Sequence, residues 1–210
     1  IHAKELSDAT LFAIDQFVLG GGKLVAFVDP HCESDDTVPV NPQNPMQSMQ
    51  IPKESTLGPL FEAWGVEMDT TKIAADKELA SQVNAGSQRR PKLIDFIAWL
   101  NLTPENLNSE DVITGDLTQR IVVASAGFLT QADDSPVEFT PLIQTTATAE
   151  ELDRAKIQMF PNPETLLSEY EPGGEKLTIA ARLQGPVATA FPEGKPASED
   201  DEADDAGDFL

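Results

Sequence analysis

An α/β fold, a sheet with helices on both faces, is what this sequence predicts, on three observations. A segment of helical periodicity, residues 7–19, passes through three glycines into the short apolar run Lys23-Leu24-Val25-Ala26-Phe27-Val28. A second run of that kind, Arg120-Ile121-Val122-Val123-Ala124-Ser125-Ala126, lies further along the chain. Hydrophobic residues make up 40% of the 210, enough to pack one large domain. A helix that feeds a buried strand is the unit from which layered α/β domains are built.

Taken in order, Ser7 is an N-cap, and Leu11, Ile14, Phe17 and Val18 recur at the spacing of one helical face until Gly20-Gly21-Gly22 stops the helix. Residues 23–28 read as a strand buried on both faces, because they are almost continuously apolar and end at Asp29-Pro30. The chain opens at Ile1 without an initiator Met, so a processed or excised piece is expected, with the strand that leads into the first helix cut away. Residues 33–56 carry Pro39, Pro42, Pro45 and Pro52 and no periodicity, which predicts a long loop serving as a lid, a binding loop or a disordered excursion.

Leu57, Leu60, Phe61 and Trp64 form the apolar face of a short helix closed by Gly65. Residues 72–76 read as a strand that continues through 79–83. Residues 93–102 fit either period, and the flanking Pro91 and Pro104 together with the aromatic content favour a strand. Ser109-Glu110-Asp111 caps a short helix to about Leu117. Residues 120–126 are the second buried strand and 137–143 another. Residues 150–170 are polar and helix-compatible with breaks at Pro161 and Pro163, and 177–184 and 187–191 read as two strands around Gly185-Pro186. Seven acidic residues occupy the last twelve positions, so 1–195 is expected to be the domain and 196–210 a solvated acidic linker or tail.

The whole chain carries 36 acidic against 14 basic side chains, a net charge of −22. Such a surface repels polyanions, and nucleic acid is therefore excluded as a partner. A single cysteine, Cys32, rules out an internal disulfide and a multi-cysteine zinc site. No window is apolar over the roughly 18 residues a membrane-crossing helix needs.

Chemistry is densest at Asp29-Pro30-His31-Cys32-Glu33-Ser34-Asp35-Asp36, directly after the first apolar run, where open α/β sheets place their ligands. Asp29, His31, Asp35 and Asp36 are the candidate ligand-binding residues. An imidazole, a thiol and carboxylates can in principle ligate a metal or support a Cys-His nucleophile. The spacing argues against both: adjacent His31 and Cys32 side chains diverge in an extended segment, and His2 is the only other histidine. No phosphate-binding loop, serine elbow, His-Glu-x-x-His pair or Cys-x-x-Cys occurs. Gly20-Gly21-Gly22 precedes the apolar run instead of opening a helix after it, so it reads as a turn. Arg89-Arg90 reads as a surface loop, and Trp64 and Trp99 as core. No catalytic residue, metal or cofactor is assigned.

The run from Lys4 to Lys23, with Ile14-Asp15-Gln16-Phe17-Val18-Leu19-Gly20-Gly21 at its centre and Val25-Ala26-Phe27-Val28-Asp29-Pro30 after it, resembles the extracytoplasmic segment of the ABC-transporter auxiliary family that includes the gliding-motility component GldG. Leu60-Phe61-Glu62-Ala63-Trp64-Gly65-Val66, Ile121 to Gly127, Thr140-Pro141-Leu142, Leu177 to Gly185 and Ala190-Phe191-Pro192 extend the resemblance over residues 4–196. It implies a flavodoxin-like fold similar to class I glutamine amidotransferases, without their nucleophile, because Cys32 is flanked by His31 and Glu33 rather than glycines. It further implies a non-catalytic domain on the outer face of the bacterial inner membrane, tethered by spans outside this sequence. The partners it implies are the permease and ATPase subunits, with a polysaccharide or peptide as ligand. The rival reading is a metal-dependent or hydrolase-like enzyme using Asp29, His31, Cys32 and Asp36.

Overall fold

A computed structural model of the chain describes residues 3–35, 51, 53–87, 89–158 and 161–197. The long helix α1 spans Asp8–Leu19. Ser7 caps it as expected, accepting the Thr10 amide at 3.3 Å, and Leu11 and Ile14 are buried. Gly20 ends it, and Gly21 at φ 87° makes the turn that only a residue without a Cβ makes cheaply. Helix α2, Pro59–Ala63, starts on Gly58 with proline in its first turn.

The strands follow as β1 Val66–Glu67, β2 Lys72–Ala75, β3 Ala80–Asn84, β4 Leu93–Leu102, β5 Ile121–Ala124, β6 Thr130–Gln131, β7 Glu138–Gln144, β8 Glu150–Asp153 and β9 Thr178–Gln184, with helices α3 Ala155–Gln158 and α4 Pro163–Ser168 between the last two. They pair as four small sheets: β1 with β6, β2 with β8, β3 with β4 and β5, and β7 with β9. Every one of these pairings is antiparallel. The molecule is mixed α/β, but the expected flavodoxin-like sheet with helices on both faces is not what the described residues form. Short antiparallel ladders and few helices take its place.

The middle of the molecule is β4, whose residues 96–98 are all buried. Phe96, Ile97 and Ala98 join Ile73, Ala75, Leu152, Ile157 and Leu166 in one core, and Leu100 and Leu102 join Ala74, Leu79 and Phe128 in a second. A strand covered on both sides reads as a continuous apolar run, and for 93–102 the strand reading is correct. A third core gathers Ala3, Leu11, Ile14, Leu57, Leu60 and Trp64 around α1.

Several expectations are corrected. Residues 23–28 do not form a ladder strand buried on both faces. Leu24, Ala26 and Val28 pack against the α1 core, while Val25 and Phe27 are 71% and 67% exposed, so the segment has one buried face only. Residues 79–83 do not continue the preceding strand: β2 pairs with β8 and β3 with β4. Residues 109–117 are turns, not a helix. Asn108 Oδ1 accepts the Glu110 amide at 3.0 Å and Asp111 Oδ1 the Ile113 amide at 2.9 Å, side-chain bonds that compete with helical ones. Residues 120–126 shorten to β5, which pairs with β4 and alternates half-buried and exposed, the pattern of a strand with one covered face. The start of 150–170 is β8, its Leu152 opposite Ile73, and helix appears only on either side of Pro161. Residues 187–191 are no strand; Phe191 packs edge-on against Phe12 at 5.5 Å. The helix near 57–64 and the strands near 72–76, 137–143 and 177–184 are present. Asp36, most of the 33–56 loop, and the tail from 198 onward lie outside the described residues.

Candidate functional site

The chain leaves the half-buried 24–28 segment at Asp29, which exchanges two backbone hydrogen bonds with Ser55, at 3.1 and 2.7 Å. The Cys32 amide reaches the Lys53 carbonyl at 2.9 Å. Residues 29–32 thus run against 53–55, and this short pairing is what presents the acidic cluster.

Each described carboxylate there, Asp29, Glu33 and Asp35, has a partner. Asp29 Oδ1 accepts the His31 amide at 2.8 Å, closing the turn over Pro30. Asp35 pairs with Lys4, and that hydrogen bond holds the Lys4 ammonium above its ordinary pKa. Glu33 reaches across to the β4–β5 sheet, where Oε1 accepts the Trp99 indole N–H at 2.8 Å and the Ser125 hydroxyl. Ser125 is fully buried at φ 53°, a conformation uncommon for a residue with a Cβ. Its amide is tied to the Ala98 carbonyl at 2.8 Å, which keeps its hydroxyl at the sheet end that Glu33 meets.

Two further contacts fasten the same turn. Arg154, at the start of α3, donates to the Pro30 carbonyl at 2.9 Å and forms an ion pair with Glu54. Pro30 is buried against Gly127, where an added Cβ would lie 2.7 Å from the proline Cδ. That close approach explains the glycine.

His31 is half-buried, and its Nδ1 has no hydrogen-bond partner. Burial pulls its pKa below the ordinary 6.5, Glu33 opposes the shift, and Lys53 and Arg154 add to it. Cys32 is half-buried, with its thiol 3.5 Å from the Ser34 hydroxyl. The thiol and the imidazole share no hydrogen bond, so the pair lacks the contact that activates a nucleophile. Among the described residues no group of three His, Cys, Asp or Glu side chains converges to hold a metal ion.

Of the four sequence candidates, the structure brings Asp29, His31 and Asp35 onto one turn, and Asp36 lies outside the described residues. The sequence reading missed Glu33, Ser125, Arg154 and Gly127, which lock that turn to the sheet. The one signal for them was the cluster's position after an apolar run. Arg89 and Arg90 are exposed as expected. Trp64 is core at 5% exposure, whereas Trp99 is half-buried and serves the turn as a donor. No helix among the described residues is long and apolar enough to cross a membrane.

Compared with known proteins, the chain matches no curated protein and no solved structure. A family model described as an ABC-type uncharacterized transport system, of the ABC-transporter auxiliary kind, matches residues 1–208. The sequence that folds into these antiparallel ladders, with a turn at residues 29–35 bolted to the sheet, therefore belongs to the auxiliary family of ABC-type transport systems.

Proposed function

We propose that this chain is the non-catalytic extracytoplasmic domain of an ABC-transporter auxiliary component of the GldG kind, in a gliding-type or export system. In this reading it docks on the permease and ATPase assembly from the periplasmic side, and the membrane spans that tether it lie in segments beyond this sequence. The turn at 29–35, carrying Asp29, His31 and Asp35, together with Asp36, which follows it in sequence, is the contact through which it receives a partner protein, a peptide or a polysaccharide. The observation that carries the reading is the family match over residues 1–208. The chemistry of the turn supports it: carboxylates already committed to Lys4, Trp99 and Ser125 are set to hold a shape and are poorly placed to exchange protons with a substrate.

The test is site-specific photo-crosslinking in cells from the exposed position Ser34 of the intact protein. Recovery of a permease or ATPase subunit is the expected result. Recovery of proteins unrelated to a transporter would overturn the docking role. A hydrolytic or metal-dependent turnover abolished by His31→Ala and Cys32→Ala would establish the rival enzyme instead.

A further inference from the structure

A groove of about 270 Å³ lies along the seam between residues 105–108 and the end of β7, and none of Asp29, His31 and Asp35 lines it. The seam itself is closed by backbone. Leu107 bridges Ile143, the Asn108 amide donates to the Leu142 carbonyl at 2.8 Å, and the far side of β7 is taken by β9. Among the described residues no free sheet edge is therefore left along the groove for an incoming strand, and recognition falls to side chains. Asn106 Nδ2 reaches the Gln144 carbonyl at 3.1 Å and Asn108 Nδ2 the Pro141 carbonyl at 3.0 Å, so both carboxamides cross between residues that line the groove on either side. Gln144 Nε2 donates to the Thr178 hydroxyl at 3.2 Å. Each of these NH₂ groups has two hydrogens and spends one. Gln144 Oε1 accepts no bond among the described residues and is open to solvent. Glu105 and Lys176, both exposed, complete the polar lining, and neither forms an ion pair among the described residues.

We infer that this groove binds one pyranose ring of a neutral saccharide, whose hydroxyls meet the free carboxamide hydrogens, Gln144 Oε1, the Glu105 carboxylate and the Lys176 ammonium. Three features select that chemistry. A hydroxyl donates and accepts at once, which suits a lining that offers both kinds of group side by side. The three carboxamides are already pinned by one bond each, so little rotamer freedom is lost when the second is made. One carboxylate and one ammonium cancel, which leaves the lining without net charge, and the surrounding chain of net charge −22 disfavours an anion. Two sources supply such a ring, a free monosaccharide and a residue of a neutral polysaccharide.

Titrating the ¹⁵N-labelled full chain with glucose, galactose, mannose, maltotriose and cellotriose tests the assignment by NMR, with glucuronate, glycerol and N-acetylglycine methylamide as controls. At least one of the saccharides is expected to shift the side-chain NH₂ signals of Asn106, Asn108 and Gln144, and the controls to leave them in place. Tighter binding of a trisaccharide than of the monosaccharides would identify the source as a polysaccharide, and binding no tighter a free sugar. Glu105→Ala and Lys176→Ala, both at exposed positions, are each expected to weaken saccharide binding by about tenfold, the loss of one hydrogen bond to a charged group. Equal shifts with glucuronate would make the groove an anion site, equal shifts with the methylamide a peptide site, and equal shifts with glycerol no specific site; each overturns the assignment. So would saccharide shifts confined to other residues, no shift with any saccharide, or an unchanged affinity in both variants. These outcomes do not depend on the transporter-docking role, which is read by crosslinking.

Discussion

Around β4 the molecule is held by backbone ladders, and around α1 by side chains. In the first region, strand pairs satisfy main-chain groups in regular register: β3 and β5 flank β4, and β2 docks on β8. In the second, pieces far apart in sequence converge on α1: residues 24–28, residues 55–64, and the late segment with Val187, Ala190 and Phe191. Among the described residues only short backbone pairings, such as Asp29 with Ser55 and Ala3 with Phe27 and Thr56, join them, and no long ladder does. The late segment hangs on Asp15, a fully buried carboxylate of α1 that accepts the Thr189 hydroxyl at 2.6 Å and the Ala190 amide at 3.2 Å. The contrast teaches that the same domain uses two means of satisfying buried polar groups. The ladder strands and α1 itself leave a periodic trace in sequence, and the segments that converge on α1 do not.

The largest effect should come from emptying either core. Ile97 and Leu60 are each fully buried, one in each region, and truncation to alanine at such sites costs about 2 to 5 kcal/mol. Because Glu33 joins the N-terminal turn to Trp99 and Ser125, and Arg154 joins it to α3, the two regions should unfold together. Denaturant unfolding of Leu60→Ala and of Ile97→Ala is expected to show one transition, reported alike by Trp64 and Trp99 in single-tryptophan backgrounds. Separate midpoints for the two reporters would show that the side-chain region is an independent unit and break the comparison in its present form.

Next come the buried aspartates. Asp15→Ala leaves the Thr189 hydroxyl and the Ala190 amide without an acceptor, at about 1 to 3 kcal/mol. Hydrogen exchange is expected to speed up at Ala190 while the β4 amides keep their protection relative to the global stability. Asp76 makes the matching test in the ladder region. It is fully buried, and its carboxylate accepts the Glu78 amide at 2.8 Å and the Thr146 amide and hydroxyl, each at 2.8 Å. Here Asp76→Ala should lower the whole unfolding transition, because its partners sit between strands. A purely local effect at Thr146 would place Asp76 on the same footing as Asp15.

How far the sequence exposed these features follows the same division. The strands at 72–76, 93–102, 137–143 and 177–184 were legible because burial against a sheet partner imposes an apolar pattern, and Ser7 was legible because a helix start has its own chemistry. The 23–28 run misled, since Val25 and Phe27 are apolar without being buried, and an apolar string does not say how many faces are covered. The 109–117 turns misled because Asn108 and Asp111 have side chains that suit a helix start and a turn equally well. At the candidate site the cluster 29–36 was visible as composition. What was invisible was its fastening: Glu33 meets residues 66 and 92 positions away, and Arg154 lies 124 positions from Pro30. Pairings over such distances leave no local spacing to read.

A smaller effect isolates that fastening. Glu33→Gln keeps the shape of the side chain and removes the charge that receives the Trp99 and Ser125 donors. Because Glu33 is exposed, the cost is about 1 kcal/mol, the modest worth of a solvent-accessible hydrogen bond. Trp99 emission should change while Trp64 emission, deep in the α1 core, does not. Coupled changes in both would mean that the turn transmits strain into α1 and is more than a local clasp.

The smallest expected effect is on pH dependence, and it concerns the polar atom of this turn that no hydrogen bond satisfies. Burial lowers the His31 pKa in the folded chain below its ordinary 6.5, with Glu33 on the same turn opposing and Lys53 and Arg154 from the packed segments reinforcing. Above about pH 6.5, histidine is neutral in both the folded and the unfolded chain, and contributes no slope. As the pH falls through 6.5 the unfolded chain takes up the proton first, so stability is lost until the pH passes below the folded value, where the loss levels off. Replacing the imidazole by His31→Gln should therefore flatten the stability profile between about pH 6.5 and the folded value, leaving only the contribution of the carboxylates. The check is a series of urea titrations of both proteins across that range. A variant with the same acid slope as the parent would mean that the imidazole is as well solvated in the folded chain as in the unfolded one, and that side-chain fastening of the turn is as complete as the ladders around β4.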